Sequence, residues 1–111
     1  MTDDTIREVL NKFTNGIRDL FGERMRSVIL YGSCARGDYA EDSDIDVMVL
    51  LDYPQNRMSE ARRQVLDLSD ELDLEYDVVL APVFQNYDVF QRFMPVSAYY
   101  QNVKREGVIY A

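Results

Sequence analysis

Histidine is absent from this chain, cysteine occurs once, and basic residues are outnumbered 12 to 20 by acidic ones. Without histidine there is no Ser-His-Asp or Cys-His nucleophilic system and no His-ligated zinc, which leaves carboxylates as metal ligands and bases. The lone Cys34 excludes an internal disulfide and a multi-cysteine zinc site, and suits a reducing cytoplasm. A formal charge of −8 repels nucleic acid polymers at long range, so a DNA or RNA substrate is disfavoured. No apolar run approaches the ~20 residues of a membrane span. The first residues, Met1-Thr2-Asp3-Asp4, are acidic and polar, unlike a targeting segment.

What remains is an ordinary globular composition, 47% hydrophobic and 29% charged over 111 residues. That length predicts one domain, residues 1–111, with one core and little chain left for a separate substrate domain. No internal repeat, low-complexity segment or linker interrupts it.

Apolar residues recur at helical spacing from Asp4 to Phe21, with Thr5 and Glu8 spaced as a capping box and Gly22 at the end. Strands are expected at about Ser27 to Tyr31 and Ile45 to Leu51, with a short helix or turn from Ser33 to about Tyr39 between them. A second long helix is predicted from Met58 to Leu72, where Met58, Ala61, Val65, Leu68 and Leu72 form one stripe. A third strand is expected over Leu74 to Leu80, broken by Pro82. Short helices follow near Asn86 to Phe93 and from a Ser97 cap to Glu106, the latter ended by Gly107. The elements together predict an α/β (α+β) domain, a small mixed sheet flanked by helices, with its chemistry gathered at one end of adjacent strands.

The chemistry concentrates between the first two strands. Gly32-Ser33 offers a flexible residue and then a helix cap, a turn whose N–H groups and Ser33 hydroxyl suit a phosphate, with Arg36 adding a positive charge. After ten intervening residues come Asp44 and Asp46, two apart and therefore on one side of a strand, able to share a metal. Between Gly37 and Asn56 there is no Lys or Arg, yet six acids fall there, and such crowding raises carboxylate pKa values unless a cation neutralises it. Oxygen ligands alone point to Mg²⁺, with Mn²⁺ able to substitute. A two-metal clamp needs a third carboxylate, for which Glu75 and Asp77 are candidates; Asp77, inside an apolar strand pattern, is favoured. Four fixed residues at this spacing arise by chance in on the order of one in 10⁴ to 10⁵ windows, so the pairing reads as a site for metal-assisted transfer from a nucleoside triphosphate. Arg36-Gly37-Asp38 also spells an adhesion tripeptide, which is coincidental in a chain without secretion features.

The run Tyr31-Gly32-Ser33-Cys34-Ala35-Arg36-Gly37 through Ser43-Asp44-Ile45-Asp46-Val47 resembles the signature of minimal nucleotidyltransferases of the DNA polymerase beta-like superfamily. The ending from Tyr99 to Tyr110 is similar to that of stand-alone members. The resemblance implies that Gly32, Ser33 and Arg36 bind the triphosphate, that Asp44 and Asp46 bind catalytic magnesium, and that Asp77 is the third acid. Stand-alone members are often antitoxins of HEPN/MNT pairs. It therefore further implies a hetero-oligomer with a HEPN ribonuclease toxin and transfer of AMP from ATP to a toxin tyrosine. Two alternatives stand beside this: a small-molecule enzyme like the aminoglycoside nucleotidyltransferases, and an antitoxin acting by binding alone.

Overall fold

In the computed structural model of residues 1–111, four strands form one mixed sheet, ordered third, second, first and fourth along the chain's numbering, with helices on both faces. The first helix, α1 (Asp3–Phe21), begins on Thr2, whose hydroxyl accepts from the Thr5 N–H at 3.1 Å. The cap is thus one turn ahead of the expected Thr5, which places Asp3 and Asp4 in the first turn where the helix dipole favours acids. Its stripe of Ile6, Val9, Leu10, Phe13, Ile17 and Phe21 is buried.

After a short 3₁₀ turn come β1 (Met25–Tyr31), a single helical turn α2 (Ser33–Arg36) and β2 (Ile45–Leu51). The two strands are antiparallel, Ile29 opposite Met48 and Tyr31 opposite Asp46. A long helix, α3 (Met58–Tyr76), then carries the chain over to β3 (Leu80–Asn86), which lies parallel to β2 with Ile45 opposite Leu80. Two C-terminal helices, α4 (Tyr87–Phe93) and α5 (Ala98–Glu106), start on the side-chain caps Asn86 and Ser97. The final strand, β4 (Val108–Ile109), pairs with β1 on the far edge. No helix is long and apolar enough to cross a membrane.

The third strand departs from expectation. Leu74 to Tyr76 continue α3, and β3 begins only at Leu80. The alternation Leu72, Leu74, Tyr76, Val78 looks like a strand, but Leu74 is exposed while Leu72 continues the buried helical stripe of Ala61, Val65 and Ser69. The helix stops at Asp77, which adopts the left-handed conformation (φ 53°) and donates its N–H to the Asp73 carbonyl. The Asp73 carboxylate then accepts from the Leu80 N–H at 2.8 Å and so fixes where β3 begins. Pro82, expected to break the strand, lies within it opposite Val47; β3 is an edge strand, where a missing N–H is tolerated.

Alternation along the strands divides the core. Val28, Leu30, Ile45, Val47, Val49 and Leu51 join α1 and α3 in a cluster of 20 buried residues. Ile29, Met48 and Leu50 face the other way and meet Phe90 of α4 and Val103 of α5 in a cluster of five. Tyr31 and Asp46 continue this second face toward the α2 turn, each two residues beyond a member of that cluster.

Candidate active site

The β1–β2 ladder brings the two halves of the motif together. Tyr31 and Asp46 are partners in register, so the residue after Tyr31, Gly32, lies against the Asp46 side chain. Gly32 has φ 74°, and a Cβ built on it falls 2.5 Å from the Asp46 Oδ2. Both the backbone and the space demand glycine here. The α2 turn is closed by the Ala35 and Arg36 N–H groups, each donating to the Gly32 carbonyl at 3.1 Å, and by Gly37 donating to the Ser33 carbonyl at 2.9 Å.

Cys34 is buried beneath this turn, and its thiol donates to the Asp44 backbone carbonyl at 3.6 Å. Burial, followed by the Asp46 charge, pushes the thiol pKa up, which makes Cys34 a packing and tethering residue rather than a nucleophile. The intervening loop is tied down at both ends. The Ala40 N–H donates to the Ser43 hydroxyl at 2.8 Å, and the Tyr39 hydroxyl donates to Asp3 at 2.7 Å.

Asp44 is exposed and sits one residue ahead of β2, whereas Asp46, the second residue of the strand, is half-buried. Burial raises the Asp46 pKa, the Asp44 charge raises it further, and Arg36 works against both. The two acids therefore share one electrostatic site. Two crowded carboxylates, oxygen donors only, fit part of the shell of a hard divalent cation, with water and phosphate oxygens left to complete it.

The other expected members are placed differently from expectation or are already paired. Asp77, expected on a strand, is instead the exposed end of α3, in a shallow cleft with Glu41, Asp42, Ser43 and Val79. No three acids are close enough together to hold one ion. Glu75, the other candidate, is a helix residue whose carboxylate takes Lys12 of α1 at 3.0 Å. The Arg36 guanidinium is held between Asp38 at 3.3 Å and Glu106 of α5 at 3.1 Å, so a phosphate must compete with those acids for it. These pairs are partly exposed and of little intrinsic strength, so the competition is an easy one.

Two residues that sequence reasoning did not single out, and Tyr31, named there only as a strand end and the start of the signature run, belong to the site's surroundings. Glu106 joins α5 to the end of α2, and Asp73 sets the start of β3. Tyr31 shares a hydroxyl–hydroxyl hydrogen bond of 2.7 Å with Tyr99, and its pKa is raised by burial, by Tyr99 and by Asp46. Local spacing does not signal the contacts of Glu106 and Tyr31, whose partners lie 70 and 68 residues away, nor that of Asp73, which depends on where α3 stops.

A family model described as "Nucleotidyltransferase domain" matches residues 10–108. The chain belongs to the nucleotidyltransferase family. The matched span runs from within α1 to the first residue of β4, so it takes in the Gly-Ser turn, both acids and the whole of β1, β2 and β3. Relatives from Methanocaldococcus jannaschii bear names of the same kind. "Putative protein adenylyltransferase MJ0604" is 33% identical over 100 residues, 90% of this chain and 92% of the relative. "Putative protein adenylyltransferase MJ0141" is 28% identical over 89 residues, covering 80% and 88%. A third, "Putative protein adenylyltransferase MJ1379", is 34% identical over 84 residues, covering 73% and 80%. As a nucleotidyltransferase the chain takes a nucleotide substrate, and the family generally works with a nucleoside triphosphate and a divalent metal. The four-stranded mixed sheet with its flanking helices agrees with the polymerase beta-like fold.

Proposed function

We propose that this nucleotidyltransferase moves AMP from ATP onto a tyrosine hydroxyl of a HEPN ribonuclease toxin in the cytoplasm, silences it, and forms a hetero-oligomer with it. Residues 1–111 act as one catalytic domain in this reading. The observation that carries it is the close packing of Gly32 on Asp46, a phosphate turn set against a metal ligand, in a chain whose relatives are named as protein adenylyltransferases.

Gly32 and Ser33 cradle the triphosphate, and Arg36 leaves Asp38 and Glu106 to meet it. Asp44 and Asp46 hold Mg²⁺, with Mn²⁺ able to serve. An ion held there would supply charge neutralisation for the transferring phosphate. The tyrosyl oxygen bonds to the α-phosphorus, the bond to the β-phosphate oxygen breaks, pyrophosphate departs, and the phenolic proton leaves to solvent at this open face. Asp77 is left out of the ligand set, because it ends α3 instead of standing on a strand, and no third acid joins the pair closely enough to hold one ion.

Mass spectrometry of a co-expressed HEPN protein, incubated with this chain and Mg-ATP, tests the reading. An AMP adduct on a tyrosine, lost with Asp44→Asn and with Asp46→Asn, is expected. Unchanged labelling by those variants contradicts the site. Full toxin neutralisation by Asp44→Asn without ATP assigns the function to binding alone.

A further inference from the structure

We propose that Tyr99 is the stacking face for the nucleobase, braced by Tyr31 and Tyr100; this rests on the reading of the Gly32-Ser33 turn as a triphosphate site. Tyr31 is the last residue of β1, immediately before Gly32 and opposite Asp46. From the first turn of α5, Tyr99 reaches over to it. Their hydroxyls are 2.7 Å apart, and their rings meet edge to face with centroids 5.9 Å apart. On its other side Tyr99 touches Tyr100 at 5.7 Å, and Tyr100 leans on the buried Phe90 at 4.9 Å. A continuous aromatic row therefore runs from the small core to the phosphate turn.

Within that row the members differ in exposure. Phe90 is buried, Tyr31 and Tyr100 are half-buried, and Tyr99 is 45% exposed. An exposed ring gains little from water, yet this one is tied to Tyr31 through its hydroxyl and edge and rests against Tyr100, which restricts its rotamers. A base finds there a flat apolar surface at little further entropic cost, and such stacking tolerates any base while adding about 1–3 kcal/mol per contact.

The position along the sheet also favours the nucleotide over the acceptor. The turn, Tyr31 and Tyr99 all lie on the β1 side of the acid pair, whereas the opposite flank is β3, whose one aromatic residue, Phe84, is half-buried against the larger core. A nucleotide whose phosphates rest on Gly32-Ser33 has its aromatic neighbours on its own side. The acceptor is left the β3 side.

Calorimetric titration with two probes, Mg-ATP and Mg-tripolyphosphate, separates the base from the phosphates. Tyr99→Ala should weaken ATP binding about tenfold or more and leave tripolyphosphate unchanged, while Tyr99→Phe, which keeps the ring, should stay within about threefold of wild type for both. The platform is overturned if Tyr99→Ala binds ATP as wild type does, or if it loses both probes equally, the mark of a structural role. It is also overturned if wild type binds tripolyphosphate as tightly as ATP, in which case the triphosphate turn stands and only the platform fails. Binding of neither probe by wild type removes the triphosphate reading itself, and the platform with it. Tyr99→Ala that binds ATP normally yet no longer labels a protein acceptor assigns the ring to the acceptor instead.

Discussion

The face of the sheet beneath α1 and α3 rests on twenty buried residues, and the face beneath α4 and α5 on five. Both carry residues of β1 and β2, in strict alternation. The dense face is continuous and almost wholly apolar, so it holds the strands in register. The sparse face ends early and leaves its last two positions, Tyr31 and Asp46, beside the turn. A carboxylate placed one position along the strand would point into the dense core, where an unpaired charge is far more costly. Stability and chemistry are thus drawn from opposite sides of the same two strands.

Asp46→Asn should show that separation most sharply. Transfer should fall by about a thousandfold or more, as for loss of a group that stabilises charge in the transition state. Stability, by contrast, should rise. Burial and the Asp44 charge hold the Asp46 pKa above its ordinary value, so the folded chain binds that proton more tightly than the unfolded chain does. The contribution of Asp46 to metal-free stability therefore declines as pH rises through the carboxylate range to the raised value, and is level above it. Thermal melts in chelator should place Asp46→Asn above wild type at pH 7, with the gap closing as the pH is lowered toward 4. A lower melting temperature at pH 7 would mean that Asp46 supports the fold.

On the dense face the outcome should be reversed. Phe13→Ala, at a position with no exposure, should cost about 3–5 kcal/mol in denaturant unfolding. The fraction that remains folded should transfer AMP at close to the wild-type rate. A rate that collapsed with the fold intact would break the division between faces.

Gly32→Ala stands between the two. The added methyl requires a disfavoured φ and meets the Asp46 carboxylate, so a stability loss of about 1–2 kcal/mol and a rate loss of roughly ten- to a hundredfold are expected together. Equilibrium unfolding and initial rates on one preparation will check this. Full activity would show that the carboxylate is free to move aside.

Legibility of the chain follows the range of the interactions. The β1–turn–β2 unit was readable because everything that makes it is local: two apolar runs, a glycine, and two acids at strand spacing. The short helix near Asn86, the Ser97 cap and the stop at Gly107 were readable for the same reason. The end of α3 was not, because Leu72 to Val78 satisfies both helical and alternating patterns. The left-handed residue that resolves the ambiguity is an aspartate, not the glycine that usually marks such a stop. That one misplaced boundary carried Asp77 onto a strand it does not occupy. The strand β4 was missed because a two-residue pairing with β1 is set by tertiary contact, not by propensity.

The central claim, that the acid pair opposite the Gly-Ser turn carries the transfer without Asp77, is tested most directly by initial rates of AMP labelling from ATP with Mg²⁺ for wild type, Asp46→Asn and Asp77→Asn. Asparagine also accepts the left-handed conformation, so Asp77→Asn leaves the end of α3 in place. The account predicts near-complete loss in Asp46→Asn and a rate within about twofold of wild type in Asp77→Asn. A wild-type rate in Asp46→Asn, or an equal collapse in both variants, would contradict it.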